Sequence, residues 1–127
     1  MPVSIEVDDT CGRIEVCVRG AVSFQEAAAT IAYRQQHDCL RHAMCVDCLE
    51  WASAPTSDEV RALADQRRRL YHPDGVGPTV IVAADDLLYG MLRMYQTLAD
   101  QGPSLHIARS RADAEAWLAE RVREGEG

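Results

Sequence analysis

An apolar, β-branched run followed at once by an amphipathic helix constrains the fold of this chain more than any other feature. "TVIVAA" (79–84) predicts a strand. "DDLLYGMLRMYQTLADQG" follows without a linker, with Asp85 or Asp86 as the helix cap and Gly102 at the predicted helix end. Its apolar residues recur at helical spacing and form a core stripe: Leu88, Met91, Leu92, Tyr95 and Leu98. A strand that leads directly into a helix is typical of α/β proteins with a parallel sheet.

The first third of the chain predicts a hairpin and then a helix. "VSIEV" (3–7) and "RIEVCVRG" (13–20) alternate between apolar and polar residues around the turn "DDTCG", which indicates an antiparallel hairpin. Ser23 begins a helix as N-cap, and Glu26 completes a capping box. The apolar face expected to be buried comprises Phe24, Ala27, Ala28 and Ile31.

The middle of the chain repeats the alternation of strand and helix. The first helix is predicted to end near His37 or Asp38, and "AMCVDCL" (43–49) predicts a strand covered on both faces. Thr56 and Glu59 form a second capping box. One side of that second helix carries Val60, Leu63, Ala64, Arg67 and Leu70.

A last strand and helix complete the predicted order β-β-α-β-α-β-α-β-α. "SLHIAR" (104–109) is the strand, and "SRADAEAWLAERV" is the helix. Its inward face is expected to carry Ala114, Trp117, Leu118 and Val122. We predict a single α/β domain over residues 1–124, with a mixed, mostly parallel sheet and helices, and a short flexible tail at 125–127.

Charge and composition exclude several classes of function. The net charge of −7 argues against a nucleic-acid binder and against attraction to anionic membrane. All 13 basic residues are arginine, which excludes lysine Schiff bases and phosphate-loop lysines. The longest apolar run is too short to span a bilayer, and the N-terminus does not resemble a signal peptide. We therefore expect a cytoplasmic protein whose five cysteines stay reduced.

The element order, together with "TVIVAADDLLYGMLRMYQTLADQGPSLHIARSRADAEAWL", resembles the STAS domain superfamily. The similarity is to its bacterial branch, which is grouped with anti-anti-sigma factors and SEC14-like domains. This resemblance implies an anti-anti-sigma-factor-like fold and a non-enzymatic module that binds protein partners, nucleotides or apolar ligands. No nucleophile motif or glycine-rich phosphate loop occurs in the sequence, so we predict no enzyme and no cofactor.

The resemblance places Thr56 and Ser57 where anti-anti-sigma factors carry a phosphorylated serine. The Asp-Ser-Ser-Gly-like motif of those proteins is absent here, because the chain reads "APTSDEV". Two neighbouring carboxylates would also repel a phosphate at this helix start. The alternative is that Thr56 serves only as a helix cap, and the residues favour this alternative.

A polar stripe on the helix after Asp85 is the second candidate site. Asp85, Tyr89, Arg93 and Gln96 recur at helical spacing, and Tyr89 with Arg93 could hold an anion or a carboxylate of a partner. Gly90 interrupts this helix and would be explained by close approach of another backbone or of a ligand. The alternative is a solvated face with an i, i+4 pair.

The stretch "HDCLRHAMCVDC" (37–48) has spacings that suggest a metal or redox site. Cys45 and Cys48 are three residues apart on a predicted strand, so they should point to opposite faces and cannot chelate one metal together. His37, Cys39 and His42 remain as three ligands without a fourth. We predict no metal here and interpret the cysteines as core residues.

Two functions from different classes follow from these patterns. The first is a regulatory or protein-interaction module that meets a partner through the surfaces at Thr56 or Asp85. The second is a carrier of a small apolar ligand, with a cavity lined by Met91, Leu92, Met94 and Tyr95. A homodimer is a further hypothesis, because a small sheet leaves edges to cover. Of the basic run "RRR" (67–69), we expect salt bridges to nearby carboxylates.

Overall fold

The computed structural model describes residues 2–100 and 104–126. Within them, five strands and four helices follow the predicted order. Their bounds are β1 Val3–Asp8, β2 Arg13–Gly20, α1 Phe24–Gln36, β3 Ala43–Trp51, α2 Ser57–Arg68, β4 Thr79–Val82, α3 Asp86–Ala99, β5 Leu105–Ala108 and α4 Arg111–Glu126. No helix in these two ranges is both long enough and apolar enough to cross a membrane.

The five strands form one mixed sheet in the order β1-β2-β3-β4-β5. β1 pairs with β2 antiparallel, and every other neighbouring pair is parallel. Helices α1, α2 and α3 pack side by side on one face, whereas α4 lies on the other face against β3, β4 and β5. The prediction of an α/β fold with a mostly parallel sheet is therefore confirmed.

Strand alternation divides the core into two layers. On β3, Met44, Val46 and Cys48 face the layer beneath α1 to α3, and Ala43 and Cys45 face α4. Because successive strand residues point to opposite faces, Cys45 and Cys48 are separated by the sheet, as predicted.

Each of the three predicted helix caps is present. Ser23 Oγ accepts from the backbone N–H of Glu26 at 3.1 Å, and Thr56 Oγ1 accepts from that of Glu59 at 3.2 Å. Both glutamates bond back to the cap N–H, which completes the two capping boxes. The Asp85 carboxylate accepts a backbone N–H at the start of α3 at 2.9 Å.

Two helix ends and one buried position differ from the prediction. Helix α3 ends at Ala99, where Asp100 adopts a left-handed conformation with φ of 51°, and the predicted end at Gly102 lies outside the described residues. Val122 was predicted to face inward but is 44% exposed. A 16-residue helix is about 24 Å long, whereas the four-residue strands β4 and β5 are about 13 Å, so α4 is longer than these two strands. The predicted flexible tail at 125–127 is helical as far as Glu126, where α4 ends. Residue 127 lies outside the described residues.

Candidate ligand-binding site

A cavity of about 80 Å³ lies between the sheet and helices α1 and α2. Its wall is mainly apolar, and Val18, Met44 and Val46 contribute to it from the sheet. Ala27 and Ile31 line it from α1. A single water needs roughly 10–15 Å³ of such space, so the cavity has room for a small organic group.

The cavity is lined by half-buried residues at one end and by fully buried arginines at the other. Val22, Trp51 and Pro55 line it near the carboxyl ends of β2 and β3, and all three are only half-buried. At the opposite end lie Arg34 and Arg67, which are 1% and 2% exposed. The cavity therefore passes from an apolar mouth to a cationic inner end.

Arg34 reaches the inner end from α1 and is held there by three hydrogen bonds. One terminal nitrogen donates to the carbonyl oxygens of His42 and Gly77 at 2.8 and 3.0 Å, and the other donates to Thr79 Oγ1 at 2.7 Å. These acceptors precede or begin β3 and β4, so Arg34 ties α1 to two strands. Its Nε is buried without a partner.

Arg67 reaches the same cavity from α2 but is not held in this way. Its Nε and Nη2 are buried, and neither has a hydrogen-bond partner. In the part of the chain that the structure describes, no carboxylate forms an ion pair with Arg67. A buried charged donor without an acceptor is costly, because it loses hydration and gains nothing in return.

The inner end is electrostatically positive. Burial, and then the charge of Arg67, lower the pKa of Arg34 to about 9, so Arg34 stays protonated at neutral pH. Burial also lowers the pKa of Arg67. Tyr95 lies beside both: burial raises the pKa of its hydroxyl, and the two arginines act in the opposite direction. Two cations in a poorly hydrated space favour an anion.

Trp51 adds another unsatisfied donor to the cavity wall. Its indole Nε1 is buried and has no hydrogen-bond partner. A buried indole N–H usually has a hydrogen-bond acceptor. Among the described residues, none supplies that acceptor to Trp51 at the mouth.

The predicted carrier residues on α3 are only partly in this cavity. Leu92 and Tyr95 line it, whereas Met91 and Met94 are half-buried and pack against the core elsewhere. The predicted cavity was lined by α3, whereas the observed one is lined largely by α1, α2 and the sheet. The sequence did not indicate this difference.

Thr56 and Ser57 lie at the start of α2 and are both exposed. The Thr56 hydroxyl is engaged as the helix cap, so the capping interpretation is confirmed. Ser57 is the first residue of the helix. Phosphorylation at either residue stays a prediction.

The predicted polar stripe on α3 is used largely within the protein. Arg93 donates to the hydroxyl of Tyr89 at 3.3 Å, as the helical spacing predicted. Gln96 donates to the carbonyl of Leu105 at 2.9 Å and so ties α3 to β5. Asp85 is the helix cap. Of the four stripe residues, only Tyr89 and Arg93 therefore remain as candidates for contact with a partner.

Arg109 joins this surface, although the sequence did not indicate it. Its guanidinium carbon lies 4.2 Å from the centre of the Tyr89 ring, and a terminal nitrogen pairs with Asp86 at 2.6 Å. Gly90 faces open space, since a Cβ there would meet nothing within 4 Å. Close approach of another part of the protein does not explain this glycine.

The histidines and cysteines of "HDCLRHAMCVDC" do not gather into a ligand group. His37 stacks on Tyr33 with ring centres 4.1 Å apart, and His42 bonds to Asp9 at 3.0 Å. Cys39 is buried in the core. In the described ranges, one member of this stretch, Cys45, belongs to a group of possible ligand atoms whose other members come from β2 and α4.

That group consists of Glu15, Cys45 and Glu115, whose ligand atoms lie within 4.8 Å of one another. Arg111 bonds to Cys45 Sγ at 3.1 Å and to both glutamates at 3.1 and 3.2 Å. Arg13 also pairs with both glutamates. Because two arginines already neutralise the carboxylates, and burial raises the pKa of the Cys45 thiol to about 11, we interpret this group as an ion-pair network.

The basic run at 67–69 behaves as predicted at two of its three positions. Arg68 and Arg69 both pair with Asp65, at 2.5 and 2.7 Å. The prediction is wrong for Arg67, which points into the cavity. The signal for it is its place on the apolar side of α2, four residues after Leu63.

Comparison of the chain with protein-family models and with curated proteins gives no match. Function must therefore be inferred from the geometry of the site itself.

Proposed function

We propose that this protein is a non-enzymatic binding module that takes a small ligand into the cavity beneath α1. The observation that carries this proposal is the cavity itself, which has an apolar wall, a few polar groups and two charged groups at its inner end. Small-molecule sites commonly combine an apolar lining with a few polar groups that orient the ligand.

The chemistry of the lining supports binding without catalysis. The described residues around the cavity include no histidine and no carboxylate, so proton transfer at neutral pH lacks its usual groups. The only thiol in the wall belongs to Cys48, and burial raises its pKa.

The resemblance to STAS domains is part of the same proposal. The element order and the single mixed sheet support it. A cytoplasmic location is supported by five cysteines that are all free.

The test uses two probes of equal length, 1-hexanol and hexanoate, and a matched pair of variants. Ala27→Leu fills space in the cavity wall, whereas Ala29→Leu adds the same atoms to an exposed position of α1. We expect titration calorimetry to show that at least one probe binds the wild type and Ala29→Leu, and binds Ala27→Leu more weakly. The proposal is wrong if neither probe binds, or if Ala27→Leu binds as the wild type does.

A second candidate function is partner binding at the carboxyl edge of the sheet. Leu87 and Leu49 are 67% and 44% exposed and line one groove. Exposed apolar side chains that share a groove are typical of contact surfaces. If a second copy of the chain binds there, sedimentation should show a dimer that Leu87→Ser dissociates, and a monomeric wild type would exclude the homodimer.

A further inference from the structure

We infer that the ligand of this cavity is a short-chain monocarboxylate whose carboxylate group binds Arg67. This inference rests on the proposed function and adds the chemical class of the ligand. It is carried by the unsatisfied donors of Arg67 and by the direction in which the cavity changes from apolar to cationic.

The unpartnered nitrogens of Arg67 match the geometry of a carboxylate. Nε and Nη2 lie on the same edge of the planar guanidinium, and both lack an acceptor. Two parallel N–H groups on one edge can donate to the two oxygens of one carboxylate. Neither a hydroxyl nor an amide oxygen offers this paired acceptor with a negative charge.

The balance of charge at the inner end also favours a monoanion. Arg34 and Arg67 are both buried there, and among the described residues neither forms an ion pair with a carboxylate. A carboxylate brings one negative charge into this space. A phosphate dianion would lose more hydration on entering an otherwise apolar cavity, so it fits less well.

Arg34 is a positioning residue in this arrangement. Its three hydrogen bonds fix its guanidinium, while its positive charge remains uncompensated. It therefore contributes electrostatic attraction, and the directional hydrogen bonds to the ligand are left to Arg67.

The shape of the cavity orients the ligand. With the carboxylate at Arg67, the apolar chain extends along Val46 and Ile31 towards Trp51 at the mouth. A volume of about 80 Å³ limits the enclosed part to a few carbons. A longer chain must emerge at the half-buried mouth, which gives the site a preference for short acids.

The experiment compares hexanoate with 1-hexanol on three proteins at neutral pH. Arg67→Met removes the guanidinium and keeps an unbranched side chain that reaches as far as the position of Nε. Arg61→Met is the matched control, because Arg61 lies on the exposed side of the same helix and pairs with Asp58. We expect hexanoate to bind Arg67→Met about tenfold or more weakly than the wild type and Arg61→Met. Binding of 1-hexanol should be equal in the wild type and Arg61→Met, and it should weaken less than that of hexanoate in Arg67→Met.

The outcomes separate this inference from the proposed function. If 1-hexanol binds and hexanoate does not, or if Arg67→Met binds hexanoate as tightly as the wild type, the ligand class is wrong and the binding module stands. If neither probe binds the wild type, both fail. A second measurement needs no variant: in the wild type, the nitrogen resonance of Arg67 Nε should shift with hexanoate and not with 1-hexanol, and an unshifted resonance with bound hexanoate contradicts the inference.

Discussion

The guanidinium groups of Arg34 and Arg67 share one buried cavity, yet only that of Arg34 is hydrogen-bonded within the described residues. Arg34 donates to two backbone carbonyls and a hydroxyl, whereas Arg67 leaves two buried nitrogens without acceptors. The first arginine therefore stabilises the fold, and the second costs folding free energy unless a ligand supplies the missing acceptor.

Replacement of these two arginines by methionine should affect stability to very different extents. Arg34→Met removes the donor to His42, Gly77 and Thr79 and should lower the free energy of unfolding by about 2–4 kcal/mol. Arg67→Met removes an unpartnered charge and should leave the ligand-free protein within about 1 kcal/mol of the wild type, or above it. Urea denaturation measures both. A larger loss for Arg67→Met than for Arg34→Met would contradict this assignment.

Two glycines should respond in opposite ways to alanine. At Gly77, a Cβ would lie 2.2 Å from the carbonyl oxygen of His42, and that oxygen accepts from Arg34. Gly77→Ala must shift backbone and should cost about 2–3 kcal/mol. Gly90 is exposed in the middle of α3 with free space around it, so Gly90→Ala should gain about 0.5–1 kcal/mol. Thermal unfolding tests the pair, and a loss of stability at Gly90 would point to a role that the structure does not explain.

The elements of this fold could be predicted because their signals are local. The caps at Ser23 and Thr56 each depend on a partner only three residues away, and strand β2 depends on its own alternation. The failure at Val122 has a different origin. Its burial depends on the length of strands elsewhere in the chain, which the pattern of helix α4 does not contain.

The cavity could not be predicted for the same reason. Arg34 meets Thr79 across 45 residues, and the space between α1 and the sheet exists only after the helices have packed. The sequence does place the charged Arg67 on the apolar side of its helix. The basic run around it predicts surface salt bridges, and Arg68 and Arg69 do form such salt bridges.

The cap at Thr56 predicts how substitutions at Thr56 and Ser57 change the stability of the protein. Thr56→Ala should cost about 1 kcal/mol, because it removes the acceptor for the Glu59 N–H, and Thr56→Ser should restore most of that loss. Ser57→Ala should be nearly neutral, since Ser57 is exposed at the first helical position. Chemical denaturation checks the series. Equal stability of Thr56→Ala and the wild type would mean that the cap is not needed for stability.

Thiol reactivity should follow the burial of the five cysteines. Cys11 is exposed and Cys17 is partly exposed, so both should react with iodoacetamide in the native protein. Cys39, Cys45 and Cys48 are buried, and burial raises the pKa of each thiol. These three should react only after unfolding. Mass spectrometry after timed labelling gives the order, and early modification of Cys45 would show that the contact with Arg111 does not shield it.

Acidification should destabilise the protein through His106. Burial, and then the charges of Arg93 and Arg121, lower the pKa of this histidine, while Asp113 opposes them. The unfolded chain therefore binds a proton at higher pH than the native protein does. The contribution of His106 should be constant above about pH 6.5, and stability should fall as the pH drops below that value.

This histidine effect is separable from that of the carboxylates. The carboxyl groups whose pKa is lowered in the native state, such as Glu115, reduce stability only as the pH falls below about 4.5. His106→Gln should therefore remove the loss between about pH 6.5 and 5 and keep the loss at lower pH. It also removes the ring stacked on Trp117 at 5.3 Å, so its stability at pH 7.5 serves as its own reference. Urea denaturation across this pH range measures the slope, and an unchanged slope in His106→Gln would assign the effect to another group.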